Sequence, residues 1–327
     1  MKKHIVFVNL QAFGDVIHCI NAARRYKKDN PEDLVTYTIK SSFQLTTNEG
    51  FSGIGEVLEV LEQQSWLDSV GLAIFDNQGN IRGLNLNKKS DEFKQVDKVI
   101  FHNNWYSDLG ISKSANFPIK EFISEETYNQ TDIVLEVPNV ENFNNILKIG
   151  TVGPLDWNRK LLSESTRLSL MFGLKDILEA KKVQYEINLF GVDISNYSLL
   201  QSLQLIKNHN IFIAPLGSLI HGAAALGVDT ISVPSVFPIE YDSPEFYMNT
   251  GWHKTIKHNE ENHCKTYKCV TPKLSSSGDN SFGNPPAAFG FWPKNCPYTT
   301  TKLSCTKTVK PQDILDYFER WINDRSK

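Results

Sequence analysis

The sequence predicts an α/β protein built from two domains, and three observations support this prediction. Residues 211–233 read as a buried strand, a turn of small residues, a short helix and a second buried strand, which is typical of a parallel α/β unit. A second strand, loop and helix occupy residues 4–26. The length of 327 residues is long for one sheet core and comfortable for two domains of about 150 residues each.

The composition favours a globular protein and excludes several function classes. Hydrophobic residues make up 40% of the chain and charged residues 22%, as in ordinary globular domains. The net charge is −3 and the basic residues are scattered, so we expect no nucleic-acid partner. No run approaches 18 apolar residues, and the N-terminus passes directly into a strand. We therefore expect no transmembrane segment and a cytoplasmic location.

The pattern along the chain predicts where the domains lie. Residues 1–148 alternate irregularly between strand and helix signals and form the predicted N-terminal domain, with a turn at 76–79 that is placed to join a hairpin. An asparagine-rich stretch, 138–145, is the candidate linker. The second domain occupies residues 149–310, and residues 311–327 form a final amphipathic helix.

The turn after the strand at 211–215 is the first candidate binding site. Gly217 and Ser218 have little bulk to keep a ligand away, and a helix starts directly after them. The N–H groups of Gly217, Ser218 and Leu219, with the positive end of the helix dipole, suit a phosphate or diphosphate. The alternative is an ordinary crossover whose alanines pack on the sheet.

The second candidate is Asp15, which lies at the start of the helix that follows the first strand. Open α/β sheets bind their ligands at the carboxyl ends of strands, so this carboxylate is placed for a functional role. Capping the helix is the structural alternative. The loop before Asp15 has one glycine where a dinucleotide fingerprint needs three, and no phosphate-loop lysine follows.

Four further residues are candidates in the second domain. Lys160 lies just ahead of a predicted helix, where a cation is unfavourable unless an anion binds between the lysine and the start of the helix. Arg159 competes for this role. The structural alternative is a lysine that simply faces solvent. Asp193 follows a strand and is placed to hydrogen-bond a ribose hydroxyl, unless it is an ordinary turn aspartate. His221 falls in the first turn of the 218–225 helix, either as a phosphate or sugar ligand or as a core residue.

Four motifs together resemble the family 9 glycosyltransferases, the heptosyltransferase family, and they occur in the family order. The motifs are Gly14-Asp15-Val16-Ile17-His18, Lys160 ahead of a helix, the stretch 217–227, and the cysteine-bearing tail that leads into 309–314.

This resemblance implies a GT-B fold, in which two Rossmann-like domains face a cleft. It implies an N-terminal acceptor domain, a C-terminal nucleotide-sugar domain, and a final helix that packs back across the domain junction. The implied reaction transfers a sugar, typically heptose from ADP-heptose, with inversion and without a metal. The acceptor would be a glycan, a lipopolysaccharide core or a protein, with peripheral membrane contact as one option. Asp15 would be the general base, and Lys160 with the 217–219 turn would hold the donor diphosphate.

One position departs from the family pattern. Many members have an acidic residue, associated with the donor sugar's hydroxyls, where this chain has Leu216. Either the donor sugar differs, or another residue substitutes, or the enzyme is impaired. Leu216 therefore makes a nucleotide-sugar or glycan binding protein of the same fold the alternative to an active transferase. A weaker alternative, independent of Leu216, is a nucleotide-sugar epimerase of the related two-domain type.

The tail, residues 258–306, carries four of the five cysteines. It also contains a polar, Gly/Pro-rich stretch that needs a cross-link or a bound metal to fold. In a cytoplasmic protein, four cysteines favour structural zinc or iron over disulfides, and free thiols are the third option. Some autotransporter heptosyltransferases resemble this chain in using a four-cysteine iron site. His258 and His263 are alternative ligands. The candidate ligands are Cys264, Cys269, Cys296 and Cys305.

Overall fold

A computed structural model describes residues 2–9, 13–40, 54–75, 81–88, 96–102, 135–139, 146–152, 164–190, 197–234, 243–257 and 309–325. Contacts within the chain divide it into two compact units. The first unit comprises Met1–Asn139 and Tyr197–Gln204, and the second comprises Val140–Asn196 and Leu205–Lys327. The first boundary between them falls within the asparagine-rich stretch 138–145. The acceptor and donor roles assigned to the two domains stay predictions.

The first unit contains a five-stranded sheet in the order β4-β3-β2-β1-β5. Strands β1, β2, β3 and β5 run parallel, and β4 pairs antiparallel with β3, so the predicted hairpin is present. Its elements are β1 (His4–Asn9), α1 (Phe13–Asp29), β2 (Leu34–Lys40), α2 (Ile54–Glu62), β3 (Ser69–Phe75), β4 (Ile81–Lys88) and β5 (Lys98–His102).

The second unit contains a five-stranded sheet in the order β10-β9-β8-β6-β7, in which every pair is parallel. The elements from Leu147 onward are β6 (Leu147–Val152), α3 (Glu164–Ala180), β7 (Tyr185–Phe190), α4 (Leu199–Ile206), β8 (Ile211–Pro215), α5 (Ser218–Ala225), β9 (Asp229–Val233), α6 (Pro244–Tyr247), β10 (His253–Thr255) and α7 (Pro311–Arg325). All of these elements belong to the second unit except α4, whose residues up to Gln204 belong to the first unit.

Alternation along the strands explains the two cores of the second sheet. Ile211 and Ile213 of β8 face the cluster that contains the apolar side chains of α3 and α7, whereas Phe212 and Ala214 face the cluster that contains Ile220 of α5. Helices therefore cover both faces, as a parallel sheet requires. Together with the first sheet, this confirms the predicted α/β class with two Rossmann-like domains.

The C-terminal helix α7 is anchored in the second unit by a buried carboxylate. Asp229 accepts hydrogen bonds from Trp321 Nε1 at 2.6 Å and from the backbone N–H of Trp252 at 3.0 Å, and Arg325 also pairs with it. The predicted amphipathic helix is thus present, with Phe318 and Trp321 in the core. Its predicted path across the domain junction stays a prediction.

Candidate active site

Each sheet has a topological switch point, where the chain leaves one side of a strand and continues on the other. In the second sheet this point lies between β6 and β8, because β7 extends the sheet in one direction and β8, β9 and β10 in the other. In the first sheet it lies between β1 and β5. Open α/β sheets bind their ligands in the crevice outside the carboxyl ends of strands at such points. Two candidate sites follow from these positions.

The turn after β8 has the geometry expected of an anion cradle. The backbone N–H of Leu216 donates to the carbonyl of Val233 at 2.9 Å, which holds the turn against β9. Gly217 then continues in an extended conformation (φ 168°, ψ −173°), and α5 begins at Ser218 without a side-chain cap. The turn therefore presents its backbone at the carboxyl edge of the sheet.

The first N–H groups of a helix have no intrahelical acceptor. In the part of the chain that the structure describes, no acceptor pairs with the N–H groups of Gly217, Ser218 or Leu219. These residues are half-buried, so their N–H groups are partly withdrawn from water. Because the helix dipole adds partial positive charge at this end, an anion is the natural ligand of the turn.

The side chain of Leu216 belongs to the apolar core and is not available to a ligand. It is fully buried in the cluster formed with Phe190, Phe212 and Ile220. An ionised carboxylate placed in this apolar cluster would be strongly destabilised. Leu216 is therefore a core residue, and the chain offers no carboxylate to a donor sugar from this position.

His221 lies in the first turn of α5 and is only 2% exposed. Its backbone N–H donates to the carbonyl of Gly217 at 3.2 Å, closing the first turn of the helix. This burial fits the core role that the sequence left open. Its contact with a donor phosphate stays a prediction.

A glycine fixes the end of α5. Gly227 has φ +78°, a left-handed conformation that favours glycine. Its N–H and that of Val228 donate to the carbonyls of Ala224 and Ala223 at 2.9 and 3.0 Å. The helix therefore ends cleanly before β9.

The loop after β6 begins at the same edge of the sheet, because β6 pairs in parallel with β8 and Thr151 lies opposite Ile213. Lys160 and Asp193 lie outside the described residues, so their roles stay predictions. The loop leads into α3, which lies on the opposite face of the sheet from α5. The starts of these two helices therefore flank the switch point from the two faces.

Arg167 is a residue that the sequence analysis missed. It lies in the first turn of α3, and its buried Nε has no hydrogen-bond partner among the described residues. A guanidinium at a helix start opposes the dipole, and an unpaired buried donor adds a desolvation cost. An anion bound next to this guanidinium would relieve both costs. In the sequence, the signal for an anion-binding role was an arginine at the fourth position of the helix.

Asp15 lies in the first turn of α1, which follows β1 at the switch point of the first sheet. The predicted placement of this residue at a helix start is therefore present in the backbone. Its catalytic role stays a prediction.

The four tail cysteines lie outside the described residues. Among the residues that are described, no group of three or more His, Cys, Asp or Glu side chains is arranged to hold a metal. The predicted zinc or iron site therefore stays a prediction. No helix in the described ranges combines the length and the apolar character needed to cross a bilayer.

Comparison with known proteins identifies the fold. No protein-family model matches the chain, and no curated protein matches it by sequence. Solved structures do match over nearly the whole chain. A family 9 glycosyl transferase from Veillonella parvula superposes with a TM-score of 0.55 at 12% identity, covering 99% of this chain and 98% of the other.

Two E. coli enzymes give similar results. The iron-containing heptosyltransferase TibC in complex with ADP-D-β-D-heptose has a TM-score of 0.58 at 10% identity, covering 99% of this chain and 78% of the other. The ADP-heptose LPS heptosyltransferase II has a TM-score of 0.54 at 10% identity, with both chains fully covered. The chain therefore has the fold of these glycosyltransferases.

Proposed function

We propose that this protein is an inverting glycosyltransferase of the family 9 type. It transfers a sugar, with heptose favoured, from a nucleotide diphosphate sugar such as ADP-heptose to a hydroxyl of a glycan, a lipopolysaccharide core or a protein. The observation that carries the proposal is the position of Asp15 and the 217–219 turn, each directly after the switch-point strand of its own sheet. The fold shared over the full length with heptosyltransferases supports it.

The second unit binds the donor in this proposal. Negative charge builds on the departing diphosphate, and the N–H groups of Gly217, Ser218 and Leu219 stabilise it. One preorganised donor of this kind typically contributes about 2.7–4 kcal/mol to lowering a barrier. Lys160 and Arg167 add positive charge from the loop and helix that follow β6. Asp193 accepts a hydrogen bond from the ribose.

The first unit activates the acceptor. Asp15 takes the proton from the acceptor hydroxyl while that oxygen attacks the anomeric carbon, and the nucleoside diphosphate leaves from the opposite face. The C–O bond to the acceptor forms as the bond to the diphosphate breaks, which inverts the anomeric centre. A positioned general base typically contributes about 10²–10⁴-fold to such a step. No metal takes part, and the cytoplasm, which supplies nucleotide sugars, is the proposed compartment.

We also propose that the four tail cysteines hold a structural iron or zinc ion. TibC, which shares the fold, is described as iron-containing, and four thiolates suit either metal. Metal analysis of the purified protein should find about one ion per chain. Cys264→Ser should lose it, whereas the matched change Cys19→Ser, in α1, should keep it. A wild-type protein without bound metal would contradict this proposal, and the four cysteines would then form disulfides or remain free thiols.

A second candidate function is a catalytically impaired nucleotide-sugar binding protein. The burial of Leu216 favours it, because this chain has no carboxylate where many family members place one against the donor sugar. The two functions differ in turnover. A binding protein retains ADP-heptose without releasing ADP, and Asp15→Asn would then change nothing.

The deciding experiment measures ADP release from ADP-heptose, with water or an added glycan hydroxyl as acceptor. We expect release by the wild type and a loss of about 100-fold or more in Asp15→Asn. The matched control is Asp29→Asn, because Asp29 is an exposed aspartate at the opposite end of α1. The control should stay within about twofold of the wild type. Equal rates for wild type and Asp15→Asn would exclude the proposed base.

A further inference from the structure

A buried glutamine holds the chain just before the first boundary between the two units. Gln64 lies just after α2 and is fully buried. Its Nε2 donates to the carbonyl of Glu136 at 2.9 Å, and its Oε1 accepts from the backbone N–H of Glu136 at 2.9 Å. Nε2 also donates to the carbonyl of Val60, in α2, at 2.8 Å. The side-chain amide therefore uses both of its N–H donors and its oxygen within the first unit.

This pairing takes the place of a neighbouring strand. Glu136 lies outside the five-stranded sheet of the first unit, and none of the described strands pairs with it. A residue in a sheet pairs its N–H and its C=O with an adjacent strand, and Gln64 supplies the same two bonds from one side chain. The N–H of Ser65 adds a bond to Glu136 Oε2 at 2.6 Å, and Leu135 and Val137 are buried on either side. Glu136 is therefore fixed to the body of the first unit.

A second amide holds the chain at the start of the other unit. Lys148 is the second residue of β6. Its N–H donates to Oδ1 of Asn210 at 2.8 Å, and its carbonyl accepts from the backbone N–H of Asn210 at 2.8 Å. The N–H of Leu147 donates to the carbonyl of Gln184 at 3.0 Å. The second unit therefore secures the backbone from Leu147 onward.

The two amide pairs lie on either side of the point where the chain passes from the first unit to the second, directly after Asn139. Gln64 and Glu136 belong to the first unit, and Asn210 and Lys148 belong to the second, so each pair acts within its own unit. Apolar side chains of similar shape often stabilise a buried contact as well as a hydrogen-bonded pair does, whereas hydrogen bonds fix one arrangement of the groups that they join. The pairs therefore define where the fixed backbone of each unit ends.

We propose that Gln64 and Asn210 are positioning residues that set the two ends of a hinge between the units. A change in the orientation of one unit relative to the other is absorbed, at this connection, by the backbone between Glu136 and Lys148. The chain also passes between the units on either side of residues 197–204, so this hinge is one of three connections. The catalytic consequence rests on the proposed function, in which groups from both units act on one reaction. The positions at which the fixed backbone ends are independent of it.

Amide hydrogen exchange, followed residue by residue, tests the first pair. Gln64→Met keeps the length of the side chain and removes the hydrogen bonds of the amide, so the N–H of Glu136 should exchange about tenfold faster. The matched control is Gln63→Met, because Gln63 is the preceding residue and its Nε2 bonds the carbonyl of Glu59 at an exposed position. The control should leave the exchange of Glu136 unchanged. Equal protection of Glu136 in the wild type and Gln64→Met would overturn the role of Gln64.

The second pair is tested at the surface, so its result holds even if Gln64→Met does not fold. Asn210 is exposed. Asn210→Ala removes the acceptor of the Lys148 N–H and should make that amide exchange about tenfold faster. Asn210→Asp keeps an oxygen acceptor and should restore the protection. Unchanged protection of Lys148 in Asn210→Ala would overturn the role of Asn210.

The consequence for the reaction is read from ADP release with ADP-heptose. Gln64→Met and Asn210→Ala should each lower kcat about fivefold with little change in KM, because the donor binds in the second unit, whereas Gln63→Met should leave both constants unchanged. A wild type that releases no ADP would refute the proposed function, while the exchange experiments still decide where the fixed backbone ends. Faster exchange with an unchanged kcat would overturn the hinge.

Discussion

Ser218 is the first residue of α5, and this position allows one N–H of the proposed cradle to be removed selectively. Proline is well tolerated at the first position of a helix, and the extended backbone of Gly217 suits the residue before a proline. Ser218→Pro should therefore keep the helix and delete one donor. We expect kcat for ADP release to fall by about 10²–10³ with little change in Tm.

The control for this change is Ser218→Ala, which keeps the N–H and removes only the hydroxyl. It should retain most of the activity. If Ser218→Pro were as active as Ser218→Ala at equal Tm, the backbone cradle would have no role in the reaction.

At this scale the sequence predicted some features and missed others. Gly217 and Ser218 were recognisable because small residues between a strand and a helix have a local meaning. The orientation of Leu216 was not, since its burial depends on packing against Phe190, which comes from β7, and Ile220, which comes from α5. Arg167 was missed because its unpaired Nε is evident only once the neighbouring elements are in place.

The packing of α3 against α7 depends on a glycine. A Cβ built on Gly173 would overlap the methyl groups of Leu315 and come within 3.2 Å of its Cγ. Gly173→Ala gains helix propensity but overpacks this contact, so we expect a net loss of about 1–2 kcal/mol in the free energy of unfolding. Denaturant unfolding of the wild type and of Gly173→Ala measures this change in the free energy of unfolding.

The matched control is Gly55→Ala in α2, where an added Cβ meets no atom within 4 Å. There the change should be neutral or raise stability by up to about 1 kcal/mol. Stabilisation by both substitutions would mean that α3 and α7 do not pack as described.

The elements themselves were largely predictable, and their order was not. Apolar runs and periodicity predicted β1, β8, β9 and α7, and the hairpin followed from a turn signal at 76–79. The order of strands in each sheet arises from contacts distant in sequence, which local patterns do not encode. Asp229 shows the same limit, because its partner Trp321 lies far along the chain.

The two units should respond differently to pH. In the second unit, burial lowers the pKa of His209 below its ordinary value of 6.5. The ring Nδ1 pairs with the carbonyl of Leu205 at 2.8 Å and Nε2 with the amide of Asn188 at 3.1 Å. The neutral ring suits both partners. In the unfolded chain the ring binds a proton more readily, so the second unit loses stability as pH falls below 6.5 toward the folded-state pKa.

In the first unit, the pH dependence of stability comes from the pair of Tyr26 and Asp33. The hydrogen bond from Tyr26 lowers the pKa of Asp33, so the stability from this pair is present above pH 3.8 and is lost as pH falls through the folded-state pKa. Burial, followed by the bond to Asp33, raises the pKa of Tyr26 from 10.0 to about 12. That contribution is present below pH 10 and is lost as pH rises toward 12.

Hydrogen exchange of each unit between pH 7 and pH 5 tests this difference. Protection should fall in the second unit first, and His209→Gln, which cannot titrate, should reduce the pH dependence there. A second unit whose protection stays constant to pH 5 in the wild type would contradict the assigned role of His209.

At the level of the whole molecule, the most direct test is a crystal structure of the protein with ADP-heptose. We expect the diphosphate to lie at the carboxyl edge of the second sheet, within hydrogen-bond distance of the N–H groups of Gly217, Ser218 and Leu219 and close to Arg167. A diphosphate bound at any other edge or face of that sheet would contradict this expectation.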